Sequence, residues 1–237
     1  MVATNISAAP KVTISQHGRI GVDINVNHLA IAETDSSGNL LKTWTIKTNV
    51  YGKSTNQAKA ILGDAAAELV KIALKAHKPI VLEKLDFKKK IHELDKDPSK
   101  ASYSRMLSSF HYSSMLEFIK SRSFRYGVEI FEVNPAYTSV LGRVKFSSPH
   151  GITVHHGAAL AIARRSHGFS EALKEGPVKI AGPRGKVISF HVPARNRAKH
   201  VWSHLKQVAT RLKVALAGPL GRKPSLPSLD AIPIASK

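Results

Sequence analysis

An acidic residue inside an apolar stretch constrains this chain more than any other feature. Residues 19–27 read Arg-Ile-Gly-Val-Asp-Ile-Asn-Val-Asn, and a second apolar run over 28–34 follows at once. The pattern predicts a buried strand that carries Asp23 to the point where the chain leaves a sheet. Burying a carboxylate is costly without a cation or hydrogen-bond donors, so Asp23 is a candidate ligand of a divalent metal. The alternative is a carboxylate that accepts hydrogen bonds from turn amides.

The charge of the chain indicates a polyanionic partner. Thirty-six Lys and Arg oppose sixteen Asp and Glu, which gives a formal net charge of +20 and a pI near 10.3. This balance favours nucleic acid over acidic lipid, because no amphipathic membrane anchor and no apolar run of membrane-spanning length occur.

Cysteine is absent, which excludes disulfides, thiol catalysis and Cys-ligated zinc. The first residues lack the layout of a secretory signal, so a cytoplasmic protein is expected.

Apolar periodicity predicts strands and helices in succession. The predicted strands cover residues 19–25, 28–34, 40–48, 80–82 and 128–133. The predicted helices cover residues 57–76, 103–126 and 154–165. The first three strands are expected to be antiparallel because turn residues separate them, and the fourth delivers Glu83. Residues 88–100 are interpreted as an exposed loop or a frayed helix, and residues 140–149 as a loop.

The C-terminal part of the chain is strongly basic. Residues 176–229 contain eleven Lys and Arg and no acidic residue. They predict a strand over 187–193 and a basic amphipathic helix over 195–217, followed by a disordered tail rich in Pro, Gly and Ser. The predicted divisions of the chain are a disordered lead-in, a core, a basic helical extension and the tail, at residues 1–17, 18–168, 169–217 and 218–237.

The predicted element order is that of the RNase H-like fold, an α/β fold whose mixed sheet is flanked by helices. Residues 21–25 (Gly-Val-Asp-Ile-Asn) and 80–85 (Ile-Val-Leu-Glu-Lys-Leu) resemble the first two motifs of the RuvC-like nuclease portion of TnpB, a transposon-encoded protein related to type V CRISPR effectors. Residues 134–139 resemble the segment after its fifth strand, and 155–162 its third motif. The resemblance covers about residues 19–165 and is greatest for a branch described as transposase-associated accessory proteins.

Three departures from the TnpB pattern limit what the resemblance implies. The third motif begins with Asp in TnpB and with His155 here. The zinc ribbon of TnpB is replaced by a Cys-free stretch over 140–149, so no zinc is expected. The lead-in over residues 1–16 cannot supply the TnpB region that grips guide RNA and target DNA. A separately encoded N-terminal segment and a guide RNA are therefore open as partners besides DNA.

The resemblance implies the catalytic and metal-binding residues of a prokaryotic DNA endonuclease. These are Asp23, Glu83 and His155. Two divalent ions, Mg²⁺ or Mn²⁺, would be bridged by Asp23, with Glu83 on one ion and His155 completing the other site. A neutral imidazole in place of a carboxylate favours Mn²⁺. His156, the next residue on the same predicted helix, is the alternative to His155.

Several other polar and aromatic residues are weaker candidates. Ten basic residues are candidate phosphate contacts: Lys88, Lys89, Lys90, Arg143, Lys145, Arg164, Arg165, Arg195, Arg197 and Lys199. Tyr137 and Phe146 are candidates for base stacking, with core packing as the alternative. Asp86 is interpreted as a loop or capping residue, and Glu132 either supports the site or faces solvent.

Two functions from different classes stay open on the sequence alone. The first is a metal-dependent DNA endonuclease core of a TnpB-like mobile-element protein, and the retained Asp23 and Glu83 favour it. The second is a nucleic-acid-binding module, or a remnant of such a protein, in which catalysis has lapsed. The replacement of the third acid by His155 favours this second function.

Overall fold

A five-stranded mixed sheet forms the centre of the molecule. The computed structural model describes residues 9–84, 102–182 and 186–217, with the backbone alone over 102–110. The strands of the sheet are β1 (Ile20–Ile24), β2 (His28–Thr34), β3 (Leu40–Lys47), β4 (Ile80–Glu83) and β5 (Ile130–Val133). Their order is β3-β2-β1-β4-β5, with β2 antiparallel to β1 and β3, and β4 parallel to β1 and β5. The predicted α/β fold with an RNase H-like mixed sheet is confirmed.

Helices cover both faces of this sheet. They are α1 (Thr55–Ala76), α2 (Ser102–Arg125), α3 (Thr138–Leu141), α4 (Ser147–His150), α5 (Val154–Ser166) and α6 (Val201–Ala217). A π-helical turn, Gly142–Phe146, joins α3 to α4. Helix α1 starts two residues before the predicted limit because Ser54 and Gln57 form a capping box. No helix within the described residues is long and apolar enough to cross a bilayer.

The side-chain alternation of β1 separates two cores. Ile20, Val22 and Ile24 face α1 and α2 in a core of large aliphatic side chains. Gly21 and Asp23 point to the opposite face, where α5 lies. A Cβ on Gly21 would stand 2.1 Å from the carbonyl oxygen of Ala159, so the helix backbone lies directly on the strand.

A second core lies on the α5 side of the sheet. It joins α5 to the π-helical turn, to α6 and to the antiparallel pair β6 (Gly176–Ala181) and β7 (Val187–Val192). Leu160, Val144, Leu205 and Phe190 represent these four parts, in that order. Residues on both sides of the predicted division at residue 168 therefore share this core.

Three sequence predictions differ from the structure. Residues 140–149 are helical rather than a loop, because Leu141, Val144 and Phe146 are buried in the second core. The C-terminal extension is not only helical, since strand β6 accompanies the predicted β7; its Gly and Pro resemble turn residues in sequence. Helix α6 begins at Val201 rather than at residue 195, because Asn196 closes a turn with the amides of residues 198 and 199. The predicted loop at 88–100 lies outside the described residues.

Candidate active site

The two predicted carboxylates project from the same edge of the sheet. β1 and β4 are parallel neighbours, and Ile20 pairs with Ile80 while Gly21 pairs with Val81. Counting two residues onward along both strands places Asp23 beside Glu83 on the face that Gly21 shares. The sequence separation of these two acids therefore becomes adjacency at the carboxyl ends of two central strands.

His155 reaches Asp23 from the first turn of α5. Thr153 caps this helix by accepting a hydrogen bond from the amide of His156. His155 then lies with Nδ1 3.0 Å from Oδ2 of Asp23. The Asp23 side chain is 14% exposed, whereas His155 is 49% exposed, so the imidazole forms the solvent side of the pair.

The hydrogen bonding of this pair fixes the proton of the imidazole. An ionised carboxylate only accepts hydrogen bonds, so Nδ1 of His155 donates to Asp23. In the neutral ring, Nε2 then carries the lone pair. Asn25 donates a second hydrogen bond of 3.0 Å to the same Oδ2. The metal-ligand role of His155 stays a prediction, and Nε2 is the atom that remains for it.

A cavity lined by polar residues opens beside the Asp23–His155 pair. The ring of His28 meets that of His155 edge to face, with centroids 5.0 Å apart. Burial lowers the pKa of His28 from its usual value, and the neighbouring His155 lowers it further, while Asp23 acts in the opposite direction. The cavity measures about 450 Å³ and is lined by Asn27, His28, Thr45, Lys47, Asn49, Thr153 and His155.

Glu83 is held by a different set of neighbours. Thr138, a buried residue at the start of α3, donates a 2.6 Å hydrogen bond to Oε1 of Glu83. Burial lowers the pKa of Arg165 on α5, and the nearby charge of Glu83 opposes this lowering. The guanidinium of Arg165 donates to the carbonyl of Asn134. A hydrogen bond from α3 therefore orients this carboxylate, and a positive charge on α5 lies near it.

Tyr112 is a site residue that the sequence did not indicate. Its phenol on α2 donates a hydrogen bond to the carbonyl of Ile24, the last residue of β1. Burial raises the pKa of Tyr112, and the charges of Asp23 and Glu83 raise it further. The phenol thus lies near both carboxylates and stays protonated. No sequence pattern marks it, because Tyr in a helix is ordinarily a packing residue.

The donor set matches a divalent ion in chemistry but is not gathered into a cluster. Two carboxylates at one edge of a sheet offer the oxygen ligands that Mg²⁺ and Mn²⁺ prefer. Within the part of the chain that the structure describes, no three His, Asp or Glu side chains converge on a common point. Asp23 is paired with His155, and Glu83 is paired with Thr138. The residues fit the ion by type, with Asp23 and Glu83 as its oxygen donors.

His156 has a structural role instead of the alternative role considered for it. Its Nε2 lies 2.9 Å from the carbonyl oxygen of Trp44 and 3.0 Å from the hydroxyl of Thr45. Its Nδ1 lies 3.0 Å from the hydroxyl of Thr153. With both nitrogens engaged and the ring buried, His156 ties the start of α5 to β3 and holds the neighbouring His155 in place.

The structure divides the predicted phosphate contacts into two groups. Lys145 and Arg164 both bind the buried Glu171, whose single negative charge offsets part of theirs inside the fold. Arg143 donates to the carbonyl of Ala181, and burial lowers its pKa. Three cations are exposed and have no ion pair among the described residues: Arg195, Arg197 and Lys199. Lys88, Lys89 and Lys90 lie outside the described residues.

The remaining candidates also have definite places. Phe146 is buried in the second core and cannot stack on a base. Tyr137 is half-buried, and its ring meets Trp202. Glu132 pairs with Lys120 at the surface, away from the pairs described above. Asp86 lies outside the described residues.

Comparison with known proteins adds resemblances at the level of the fold. No protein-family model matches this chain, and no curated protein sequence matches it either. Thermus thermophilus RuvC in complex with Holliday junction substrate is 16% identical, with a TM-score of 0.42, over 61% of this chain and 89% of that one. Another T. thermophilus RuvC structure is 15% identical, with a TM-score of 0.40, over 61% of this chain and 90% of that one. A ROK family glucokinase from Streptomyces griseus, solved with glucose and AMPPNP, is 17% identical, with a TM-score of 0.29, over 56% of this chain and 38% of that one. At TM-scores below 0.5 these similarities do not decide the function, which depends on the residues of the site.

Proposed function

We propose that this protein is a metal-dependent nuclease with a RuvC-like core that cleaves DNA. The observation that carries the proposal is the position of Asp23 and Glu83, which leave adjacent parallel strands at the same height and on the same face. Two neighbouring carboxylates repel each other, and a divalent cation bound between them relieves that repulsion. The chain has a net charge of +20. The same surplus of positive charge suits a phosphodiester substrate.

The residues of the site divide the work of phosphodiester hydrolysis. Asp23 and Glu83 would hold Mg²⁺ or Mn²⁺, which when bound activates water and stabilises the leaving oxygen. His155 donates its Nδ1 proton in a hydrogen bond to Asp23, so the lone pair of Nε2 would either bind an ion or, with no ion on it, accept the proton of the attacking water. Tyr112 fixes the end of β1 through the Ile24 carbonyl. The carboxylates therefore stay aligned while DNA binds.

The finer assignment is to a TnpB-like protein of a mobile element, active in the prokaryotic cytoplasm. The wording of the motifs at residues 21–25, 80–85 and 134–139 supports it. A guide RNA and a separately encoded N-terminal segment are the partners that this assignment adds to DNA. Co-purification of RNA with the protein from its native host is the measurement that tests the assignment.

A nucleic-acid-binding protein without catalysis is the second candidate function. It is favoured by the hydrogen bond between His155 and Asp23, which occupies a carboxylate oxygen that a third acid would leave to an ion. The dispersal of acidic and His side chains among the described residues favours it too. Such a protein would keep the exposed cations and bind DNA in a salt-dependent way.

A cleavage assay separates the two functions. Single- and double-stranded DNA are incubated with Mg²⁺ or Mn²⁺ and the wild-type protein, Asp23→Asn, Glu83→Gln or Asp64→Asn. Asp64 is an exposed acid on α1, so its substitution matches the change in charge away from the site. We expect Asp23→Asn and Glu83→Gln to lose cleavage by about a hundredfold or more, and Asp64→Asn to cleave like wild type.

Binding of Mn²⁺, followed by electron paramagnetic resonance, provides a second measurement on the same variants. The nuclease proposal requires Mn²⁺ binding that Asp23→Asn weakens and Asp64→Asn leaves unchanged. Absence of cleavage and of Mn²⁺ binding in the wild type, together with salt-sensitive DNA binding, would instead establish the second candidate.

A further inference from the structure

Three aromatic rings meet where α6 begins. The indole of Trp202 lies 6.0 Å from the ring of Tyr137 and 5.9 Å from that of His200, at interplanar angles of 75° and 70°. The amide of Trp202 donates a 3.2 Å hydrogen bond to Nδ1 of His200, which holds the imidazole beside the indole. Trp202 is nevertheless 38% exposed. The cluster therefore presents part of a large aromatic surface to solvent.

The core does not account for the position of Trp202. The buried stripe of α6 falls at Val201, Leu205, Val208 and Leu212. Trp202 follows Val201 and so lies about 100° around the helix axis from it, beside the stripe rather than within it. A partly exposed tryptophan that is held between two other rings offers a flat apolar surface to a ligand.

The Tyr137 end of the cluster adjoins the candidate active site. Tyr137 has φ +65° and ψ +10°, a left-handed conformation that is unfavourable for a residue with a large side chain. The next residue, Thr138, donates its hydroxyl proton to Glu83. One strained turn thus places the ring of Tyr137 against Trp202 and the hydroxyl of Thr138 against the site carboxylate. Backbone strain of this kind is concentrated at functional sites.

Exposed positive charge precedes His200 and Trp202 in the chain. Arg195, Arg197 and Lys199 occupy the turn before α6 and are exposed. His204 fixes this turn to the helix, because its Nε2 donates a 2.8 Å hydrogen bond to the carbonyl of Pro193. A cavity of about 540 Å³ lies against the turn and is lined by Ala172, Leu173, Lys174, Glu175, Arg195 and Arg197.

We infer that Tyr137, His200 and Trp202 form a stacking site for an unpaired base of a single-stranded nucleic acid, whose phosphates bind Arg195, Arg197 and Lys199. Exposed aromatic rings alternating with cations are the features that bind single strands, since every base has a π-face and every nucleotide a phosphate. Bases within a duplex are already stacked on one another and do not reach an indole. The inference rests on the proposed function in that its ligand is a nucleic acid, and it places a single strand next to the Glu83 end of the site.

The fluorescence of Trp202 tests the stacking directly. The chain has two tryptophans, Trp44 and Trp202, so Trp44→Phe leaves Trp202 as the reporter. This variant is titrated without metal, so that no cleavage occurs, with oligothymidylate, with oligouridylate and with an abasic oligonucleotide of equal length. We expect the thymidine or uridine strand to quench the emission and the abasic strand to leave it unchanged. The two base-containing strands distinguish DNA from RNA as the ligand.

Affinity measurements separate stacking from phosphate binding. Trp202→Leu is expected to weaken single-strand binding roughly tenfold and duplex binding less than twofold. The double substitution Arg195→Gln with Arg197→Gln is expected to weaken binding of the base-containing and the abasic strands alike and to reduce its salt dependence. If Trp44→Phe does not fold, the difference in quenching between the wild type and Trp202→Phe gives the same signal.

The outcomes also distinguish this inference from the proposed nuclease. Absence of quenching, equal quenching by the abasic strand, or equal losses for single strand and duplex in Trp202→Leu would each overturn the stacking site. Quenching by base-containing strands in a protein that cleaves nothing would preserve the stacking site and remove the nuclease. Cleavage without quenching would do the reverse.

Discussion

The two faces of the central sheet are covered by side chains of opposite size. Towards α1 and α2 the sheet presents large aliphatic residues, among them Ile20 and Leu82. Towards α5 it presents Gly21, and α5 itself contains Gly157 and a series of buried alanines. The first face stabilises the fold because its large side chains bury apolar surface. The second brings backbones together, and this close approach is what places His155 against Asp23.

Truncating a large side chain on the first face is expected to have the largest effect on stability. Leu69 on α1 is fully buried, so Leu69→Ala leaves a cavity and is expected to lower the free energy of unfolding by about 4 kcal/mol. Urea denaturation followed by circular dichroism measures the loss. DNA affinity of the remaining folded protein should equal that of wild type. A matching loss of DNA affinity would mean that the two faces are not separate in function.

Enlarging a residue on the second face is expected to cost less stability and more function. Gly21→Ala would bring a methyl group within 2.1 Å of the Ala159 carbonyl, so α5 must move away. We expect a loss of about 3 kcal/mol and, in the fraction that folds, disruption of the contact between His155 and Asp23. Nuclear magnetic resonance of the histidine rings reports that contact.

A glycine of α1, one of the helices that cover the first face, supplies the matched control for this substitution. No atom lies within 4 Å of a Cβ built on Gly63 of α1, so Gly63→Ala is expected to gain about 1 kcal/mol from helix propensity. Similar losses from Gly21→Ala and Gly63→Ala would show that the close approach of α5 to β1 is not a determinant of the fold.

The ion pair at Glu171 links the second face to the segment that follows α5, and its contribution depends on pH. Burial alone would raise the pKa of Glu171, but hydrogen bonds from Lys145 and Arg164 outweigh it and hold the pKa below its usual value. The pair therefore stabilises the fold above the unfolded-state value of about 4.3 and loses this contribution as the pH falls through the lower folded-state pKa.

Glu171→Gln measures this contribution. We expect it to lower the free energy of unfolding by about 2 kcal/mol at pH 7. As the pH falls below the unfolded-state value and through the lower folded-state pKa, the wild-type carboxyl becomes protonated, and the difference between the two proteins should shrink. Denaturation curves between pH 3 and 7 measure it, and a difference that is independent of pH would assign the effect to packing instead of charge.

The same contrast between the faces explains which features the sequence predicts. The strands and the acids at their ends follow from local patterns, because alternation and a carboxylate after an apolar run are visible within ten residues. Tyr112 and Thr138 escape prediction, since their roles depend on meeting Ile24 and Glu83 across the fold. The π-helical turn also escapes, because its conformation follows from the close approach of Gly142 and Gly157.

The smallest effects are expected from substituting the N-cap residues of two helices, one on each face of the sheet. Ser54 caps α1 and Thr153 caps α5, each by accepting a hydrogen bond from a backbone amide of the first turn. Substitution of either by Ala is expected to lower stability by about 1 kcal/mol. Only Thr153 also contacts the ring of His156, the residue that holds the start of α5 against β3. Thr153→Ala should therefore shift the ring resonances of His155, whereas Ser54→Ala should leave them unchanged. Equal spectra for the two variants would mean that β3 and the helix backbone alone orient His155, and the functional importance of the second face would then depend on its glycines.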